Sequence, residues 1–195
     1  MSNPRIAVII SSIRDSRFAD KPAEWLMAQV KDHPELDFEL VDLRDEKLPH
    51  FNEVASDLWV PSQDPETVAW QQKMDGFDGY LVVLAEYNRS VPAPMKNALD
   101  LSYKAWNRKP IGALGYGSMG ATSALQHLRA IAVELQMVPL RNAVHIGGGD
   151  FFKVWTGGEN APMSAIEGNL KGSLDALLDE LAWWTKATRA ARAQA

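Results

Sequence analysis

Strand-sized apolar runs alternate along this chain with segments whose apolar residues recur at helical spacing, and that alternation restricts the fold more than any other feature. Residues 5–11 (RIAVIIS) read as a buried strand. Residues 20–30 then set Ala23, Leu26, Met27 and Val30 on one helical face, with Asp20 as the expected N-cap and Pro22 in the first turn. Residues 36–41 (LDFELV) alternate as a second strand. A polar, proline-containing stretch over 42–65 leads to a short helix at 67–74. Residues 80–84 (YLVVL) lack a polar face, so this third strand should be covered on both sides. Residues 92–106 read as a helix opened by proline. A fourth strand follows at 110–114, then a helix at 122–136 with Leu125, Leu128, Ala132 and Leu135 on one face, then a fifth strand at 138–146. Residues 147–162 read as a glycine-rich loop. A long helix opens with the capping box Ser164 and Glu167 and carries the stripe Leu170, Leu174, Leu177, Leu181 and Trp184. Trp183 and Trp184 read as packing residues, and residues 184–195 as a frayed, basic helical tail.

Strands alternating with helices imply parallel β-α-β units with right-handed crossovers. The fold class is therefore α/β, a three-layer α/β/α sandwich on a five-stranded parallel sheet. No internal repeat or composition break marks a second unit in the 195 residues, so residues 1–195 read as a single domain. With 46% hydrophobic and 23% charged residues the chain is globular in composition, which excludes disorder for its bulk. The absence of cysteine excludes disulfide frameworks, thiolate metal sites, iron–sulfur clusters and cysteine nucleophiles. A net charge of −5 argues against a nucleic-acid partner. The apolar runs fall far short of the ~18 residues that cross a bilayer, and the opening MSNPRIAVII lacks the pattern of a signal peptide. The expectation is a soluble, cytoplasmic protein without a membrane partner.

In such folds ligands bind beyond the carboxyl ends of the strands, where strand order switches. Three loops there are unusual. The first, residues 11–20, offers Ser11, Ser12 and Ser16, Arg14 and Arg17, and a helix amino terminus. Free amides and the helix dipole favour an anion at that place, and arginine adds bidentate bonds to phosphate oxygens. An ordinary polar turn is the alternative. The second, residues 85–94, passes Glu86, Tyr87 and Asn88 and then enters a helix through prolines. It suits a flat ligand with hydrogen-bonding edges, or else a surface turn whose tyrosine packs on the sheet. The third, Gly115-Tyr116-Gly117-Ser118-Met119-Gly120, is a literal G-x-G-x-x-G. It follows the fourth strand rather than the first, and no later strand ends in the acid that a dinucleotide fingerprint needs. It still marks a place where backbone can approach a ligand closely. The four histidines, His33, His50, His127 and His145, have no metal-ligand spacing. Ser118 lacks the first glycine of a nucleophile elbow, and there is no P-loop.

The three loops, in this order and at these strand ends, resemble the NADPH-dependent FMN reductase family. That family carries Gly-Ser-x-Arg after its first strand; here the residues are Ser11-Ser12-Ile13-Arg14, followed by Arg17. It carries Pro-Glu-Tyr-Asn-x-Ser-x-Pro and then Leu-Lys-Asn-x-Leu-Asp; here Glu86-Tyr87-Asn88-Arg89-Ser90-Val91-Pro92 precedes Met95-Lys96-Asn97-Ala98-Leu99-Asp100. Its glycine-rich loop leads to Gln-x-Leu-Arg, here Gln126-His127-Leu128-Arg129. The likeness runs from about residue 5 to residue 140. Ser11 stands in place of glycine, Ala85 in place of proline, and Ala19 where some members carry asparagine.

The resemblance implies a flavodoxin-like domain binding FMN, reduced by NADPH or NADH and passing reducing equivalents to a quinone, azo compound, metal oxyanion or free flavin. It implies a phosphate on Ser12, Arg14, Arg17 and the backbone of Phe18 and Ala19. It implies an isoalloxazine ring between Glu86, Tyr87, Asn88 and the segment Gly117, Ser118, Gly120. The cofactor carries the chemistry, so no catalytic side chain and no metal is expected. Two other readings stay open, a flavodoxin-like electron carrier and a flavin-free regulatory module. A homodimer or homotetramer is expected. Tyr103 and Trp106 at the end of the helix, with Phe51, Leu58, Trp59 and Val60 in the long loop, supply apolar area of the kind interfaces bury.

Overall fold

The computed structural model describes residues 2–194. Its elements follow in the order β1 (Arg5–Ile10), α1 (Asp20–Val30), β2 (Asp37–Asp42), α2 (Pro65–Asp75), β3 (Gly79–Ala85), α3 (Ala93–Asp100), β4 (Pro110–Tyr116), α4 (Thr122–Glu134), β5 (Val138–Pro139), β6 (Val144–Ile146), α5 (Gly148–Val154) and α6 (Glu167–Arg192). The sheet order is β2-β1-β3-β4-β5, with β6 also paired to β4, and every pairing is parallel. This is the flavodoxin-like order, whose switch point lies between β1 and β3. Among the described residues no helix is long and apolar enough to cross a membrane.

Strand periodicity sorts the core into two faces. Ile6, Val8, Ile10, Leu81 and Val83 point to one side, where α1 and α6 bring Leu26, Leu174, Leu177 and Leu181. Ala7, Ile9, Tyr80, Val82 and Leu84 point to the other, beneath Trp70, Met95, Leu99 and Leu128. Each fully buried large side chain stabilises the fold by about 1.5–3 kcal/mol relative to exposure.

The structure corrects several expectations. The fifth strand is broken. Pro139 cannot donate to the ladder, and the amides of Arg141 and Asn142 are drawn off the sheet by the Glu180 carboxylate at 3.0 and 2.8 Å. The helix expected over 92–106 stops at Asp100. Asp57 accepts from the Tyr103 amide and the Ser102 hydroxyl, and the chain turns so that Trp106 enters the core, edge-on to Tyr80 at 4.7 Å. Trp106 is fully buried in its own chain and offers nothing to an interface. The glycine-rich loop contains α5. Ala19 rather than Asp20 occupies the N-cap of α1. Ser164 lies in a short 3-10 turn and Glu167 opens α6 without a capping box; its carboxylate instead accepts from Trp25 Nε1 at 2.8 Å and Gln29 Nε2 at 3.3 Å. Within the described residues α6 continues to Arg192, where Arg192 bonds Asp78 at 2.7 Å and Arg189 bonds the Ser2 carbonyl at 3.0 Å. Trp183 is exposed, whereas Trp184 packs on the core.

Candidate functional site

Three loops converge beyond the carboxyl ends of β1, β3 and β4, and hydrogen bonds tie them to one another. The Ser11 hydroxyl donates to the Val83 carbonyl at 2.8 Å and accepts from the Ala85 amide at 3.0 Å, stitching β1 to β3 where the motif has glycine. The Ser12 and Tyr87 hydroxyls meet at 2.6 Å. Glu86 accepts from the amides of Ser123 and Ala124 at 2.9 and 3.0 Å. It caps α4, whose own N-cap, Ala121, has no side chain able to do so. The second loop is thereby tied to the third through Glu86 Oε2, while Oε1 faces the exposed Arg89 at 3.6 Å. His127 Nδ1 adds a bond to Ser90 Oγ at 3.0 Å.

The β1–α1 loop has the donors of an anion cradle. Among the described residues the amides of Ile13, Arg14, Asp15, Ser16, Phe18 and Ala19 have no protein acceptor. They lie at the amino terminus of α1, where the helix dipole is positive. Arg14 is exposed, has no carboxylate partner among the described residues, and rests its guanidinium over the Tyr87 ring at 5.8 Å. Phe18 contributes backbone only, because its ring is buried edge-on against Tyr116 at 5.2 Å and Phe151 at 5.5 Å.

Arg17 departs from the expectation of a free phosphate ligand. Its side chain is 2% exposed. It donates to the Ser12 carbonyl at 2.7 Å, to Asp42 at 2.6 Å and to Asp20 at 2.8 Å, and pairs again with both carboxylates through Nη2. Burial alone would raise the Asp42 carboxyl, but bonds from Arg17 and from the Arg44 amide hold it below its ordinary range. Hydrogen bonding to Asp42 correspondingly raises Arg17, against the opposing effect of burial.

The third loop turns on glycine. Gly117 has φ +145°, Gly120 φ +66°, and the Gly120 amide returns to the Gly117 carbonyl at 2.9 Å. A side chain at Gly117 would strain the backbone. Ser118 and Met119 stand exposed at the tip. Segment 147–162 supports this loop from behind. The Gly148 amide donates to the Ser118 carbonyl at 2.9 Å. Gly147 lies so close to Gly120 that a Cβ there would be 2.7 Å from the Gly120 nitrogen. Lys21 of α1 holds the far end, reaching the carbonyls of Val154 at 2.7 Å and Ala161 at 2.8 Å and Asn160 Oδ1 at 2.9 Å.

One buried polar atom is left over. The Tyr116 hydroxyl, at the end of β4, has no hydrogen-bond partner among the described residues. Burial pushes its phenol up, and Tyr87 and Ser12 are among its polar neighbours. An orphaned buried hydroxyl is costly, and the Ser12 hydroxyl beside it is engaged by Tyr87. The donors at the first loop fit a phosphate. The second and third loops lie side by side, a Cβ at Gly117 falling 3.9 Å from the Glu86 Cβ. Sequence reasoning missed Asp42, Arg44, Lys21 and Phe151, which reach the site from other elements, and gave Tyr116 no role although it lies in the glycine motif.

Comparison with known proteins agrees with this geometry. Residues 4–150 match the family model for NADPH-dependent FMN reductase. An NAD(P)H-dependent FMN reductase of Schizosaccharomyces pombe is 36% identical over 137 residues, covering 69% of this chain and 68% of that protein. A 2-hydroxy-1,4-benzoquinone reductase of Burkholderia sp is 32% identical over 142 residues, covering 69% of this chain and 73% of that protein. The solved structure of FerB, a flavoenzyme NAD(P)H:(acceptor) oxidoreductase from Paracoccus denitrificans, superposes with a TM-score of 0.68 at 24% identity, covering 91% of this chain and 97% of that one. The matched residues 4–150 include all three converging loops, and on that match the chain belongs to the NADPH-dependent FMN reductase family.

Proposed function

We propose that this protein is an FMN-dependent NAD(P)H oxidoreductase that passes reducing equivalents to a small acceptor such as a quinone, azo compound, metal oxyanion or flavin. The observation that carries this reading is the union of an unsatisfied anion cradle at the β1–α1 loop with the glycine turn at Gly117–Gly120, in one hydrogen-bonded site. FMN, when bound, supplies the redox chemistry between donor and acceptor. The chain's residues bind and orient it. Ser12, Arg14 and the amides of Phe18 and Ala19 hold the phosphate. Tyr87, Asn88, Gly117, Ser118 and Gly120 border the ring. Arg17 and Glu86 brace the loops rather than touch the ligand. A relative named for 2-hydroxy-1,4-benzoquinone favours a quinone among the acceptors.

The same reading makes residues 1–195 a single FMN-binding domain, at work in the cytoplasm. The assembly is a homodimer or homotetramer. In support, Trp59 is 78% and Val54 92% exposed, and Phe51, Leu58 and Val60 of the same loop are exposed too, side chains of the kind interfaces bury. Steady-state NADPH oxidation by the FMN-loaded protein with a benzoquinone tests the function. Sustained turnover that vanishes when FMN is removed is the expected result. A protein that binds FMN but oxidises neither NADPH nor NADH is a carrier, and the reading falls.

A further inference from the structure

We infer that Asp42, acting through Arg17, is a positioning residue for phosphate binding, and that with Arg44 it fixes the peptide planes of the β1–α1 loop so that their amides face the anion. The inference rests on the reading of that loop as the FMN phosphate site. Its geometric basis is the trans peptide, in which a carbonyl and the following N–H point in opposite directions. The Ser12 carbonyl is held by Arg17 Nη1 at 2.7 Å, so the Ile13 N–H points away from Arg17. The Arg14 carbonyl receives Arg44 Nη2 at 2.7 Å and the Arg17 amide at 3.2 Å, so the Asp15 N–H likewise points away from both. Neither N–H has a protein acceptor among the described residues.

The two arginines are themselves held by one carboxylate. Asp42 takes Arg17 Nη1 at 2.6 Å and also pairs with its Nη2, and it accepts from the Arg44 amide at 2.9 Å. Without Asp42 the buried guanidinium keeps only Asp20, on its other edge, and is free to leave the Ser12 carbonyl. Charge alone predicts the reverse. A carboxylate near a dianion repels it, so removing Asp42 would strengthen FMN binding if the residue acted only through its field. The two accounts differ in sign.

The test is a flavin-fluorescence titration of the full-length chain with FMN and with riboflavin, which lacks the phosphate. For Asp42→Asn we expect FMN affinity to fall about ten- to a hundredfold, the effect of losing one charge-assisted bond, with riboflavin affinity unchanged. A merely structural lesion would weaken both ligands alike. Equal or tighter FMN binding by Asp42→Asn, with Arg14→Ala still weakened, overturns the inference and leaves the phosphate site standing. An unaltered protein with no preference for FMN over riboflavin overturns both. If Asp42→Asn does not fold, Asp42→Glu keeps the charge but moves it by a methylene. Weaker FMN binding by that variant supports positioning, and unchanged binding overturns it.

Discussion

Among the described residues of the β1–α1 loop, Arg14 is the cation whose guanidinium is free for a ligand, since Arg17 is occupied by Asp20 and Asp42. Replacing Arg14 by alanine removes a charge-assisted bond worth about 1.5–3 kcal/mol, so FMN should bind about ten- to a hundredfold more weakly. Fluorescence titration checks this, and an unchanged dissociation constant contradicts the phosphate assignment. At this scale the sequence was informative for local groups and silent about distant ones. Arg14 and the free amides are neighbours in the chain and at the amino end of a helix, so an anion site proposed there reads from local spacing, whereas Ser12 is buried with its hydroxyl on Tyr87. Arg17 carried the same signal but meets Asp42, 25 positions away, and only strand pairing between β1 and β2 brings the two together. Nothing in the spacing distinguishes a guanidinium facing a ligand from one facing a carboxylate. The same holds for Glu86, whose cap on α4 lies 37 positions downstream.

Among the elements, segment 147–162 shows how a stretch with weak periodicity gains its structure from its contacts. Three successive glycines read as loop, yet Gly148 and Gly149 already belong to α5, which is held by Phe151 on Phe18 and by Lys21. Long apolar runs such as β1 and β3 were legible because burial on both faces leaves no polar position, and helices with a full apolar stripe were legible for the same reason. The breaks were not. Pro139 and Glu180 split one strand, and Asp57 ended a helix, through contacts that no window of local sequence contains. The close passage of Gly147 past Gly120 gives a prediction for this scale. In Gly147→Ala the new Cβ meets backbone at 2.7 and 2.9 Å, which has no side-chain freedom to yield. Such overpacking costs about 1–3 kcal/mol. The urea midpoint should fall, and FMN affinity with it, because the Gly117–Gly120 turn must shift. Full stability in that variant contradicts the close approach.

For the whole molecule, acid is the informative perturbation. Asp42 sits below its ordinary value of 3.8 because the bonds from Arg17 and Arg44 outweigh burial, and Asp64 does so through its bond to the Thr67 amide. In both, the folded pKa is lower than the unfolded one. The unfolded chain therefore binds more protons below about pH 4, and the stability these groups contribute at neutral pH is lost as the pH falls through their folded values. Asp42→Asn should be less stable at pH 7 and show a shallower loss in acid, measured by urea unfolding across that range. An acid slope unchanged in the variant contradicts the Arg17–Asp42 linkage. The exposed Trp59 loop sets the assembly prediction. Light scattering at micromolar concentration should give a dimer or tetramer, and a monomer with full activity would refute it. The most direct test of the account is the visible spectrum of the purified protein under anaerobic conditions. The flavin band should remain with the protein through dialysis, bleach on addition of NADPH or NADH, and return on addition of a benzoquinone. A protein that neither retains added FMN nor bleaches it with either nicotinamide would contradict the central claim.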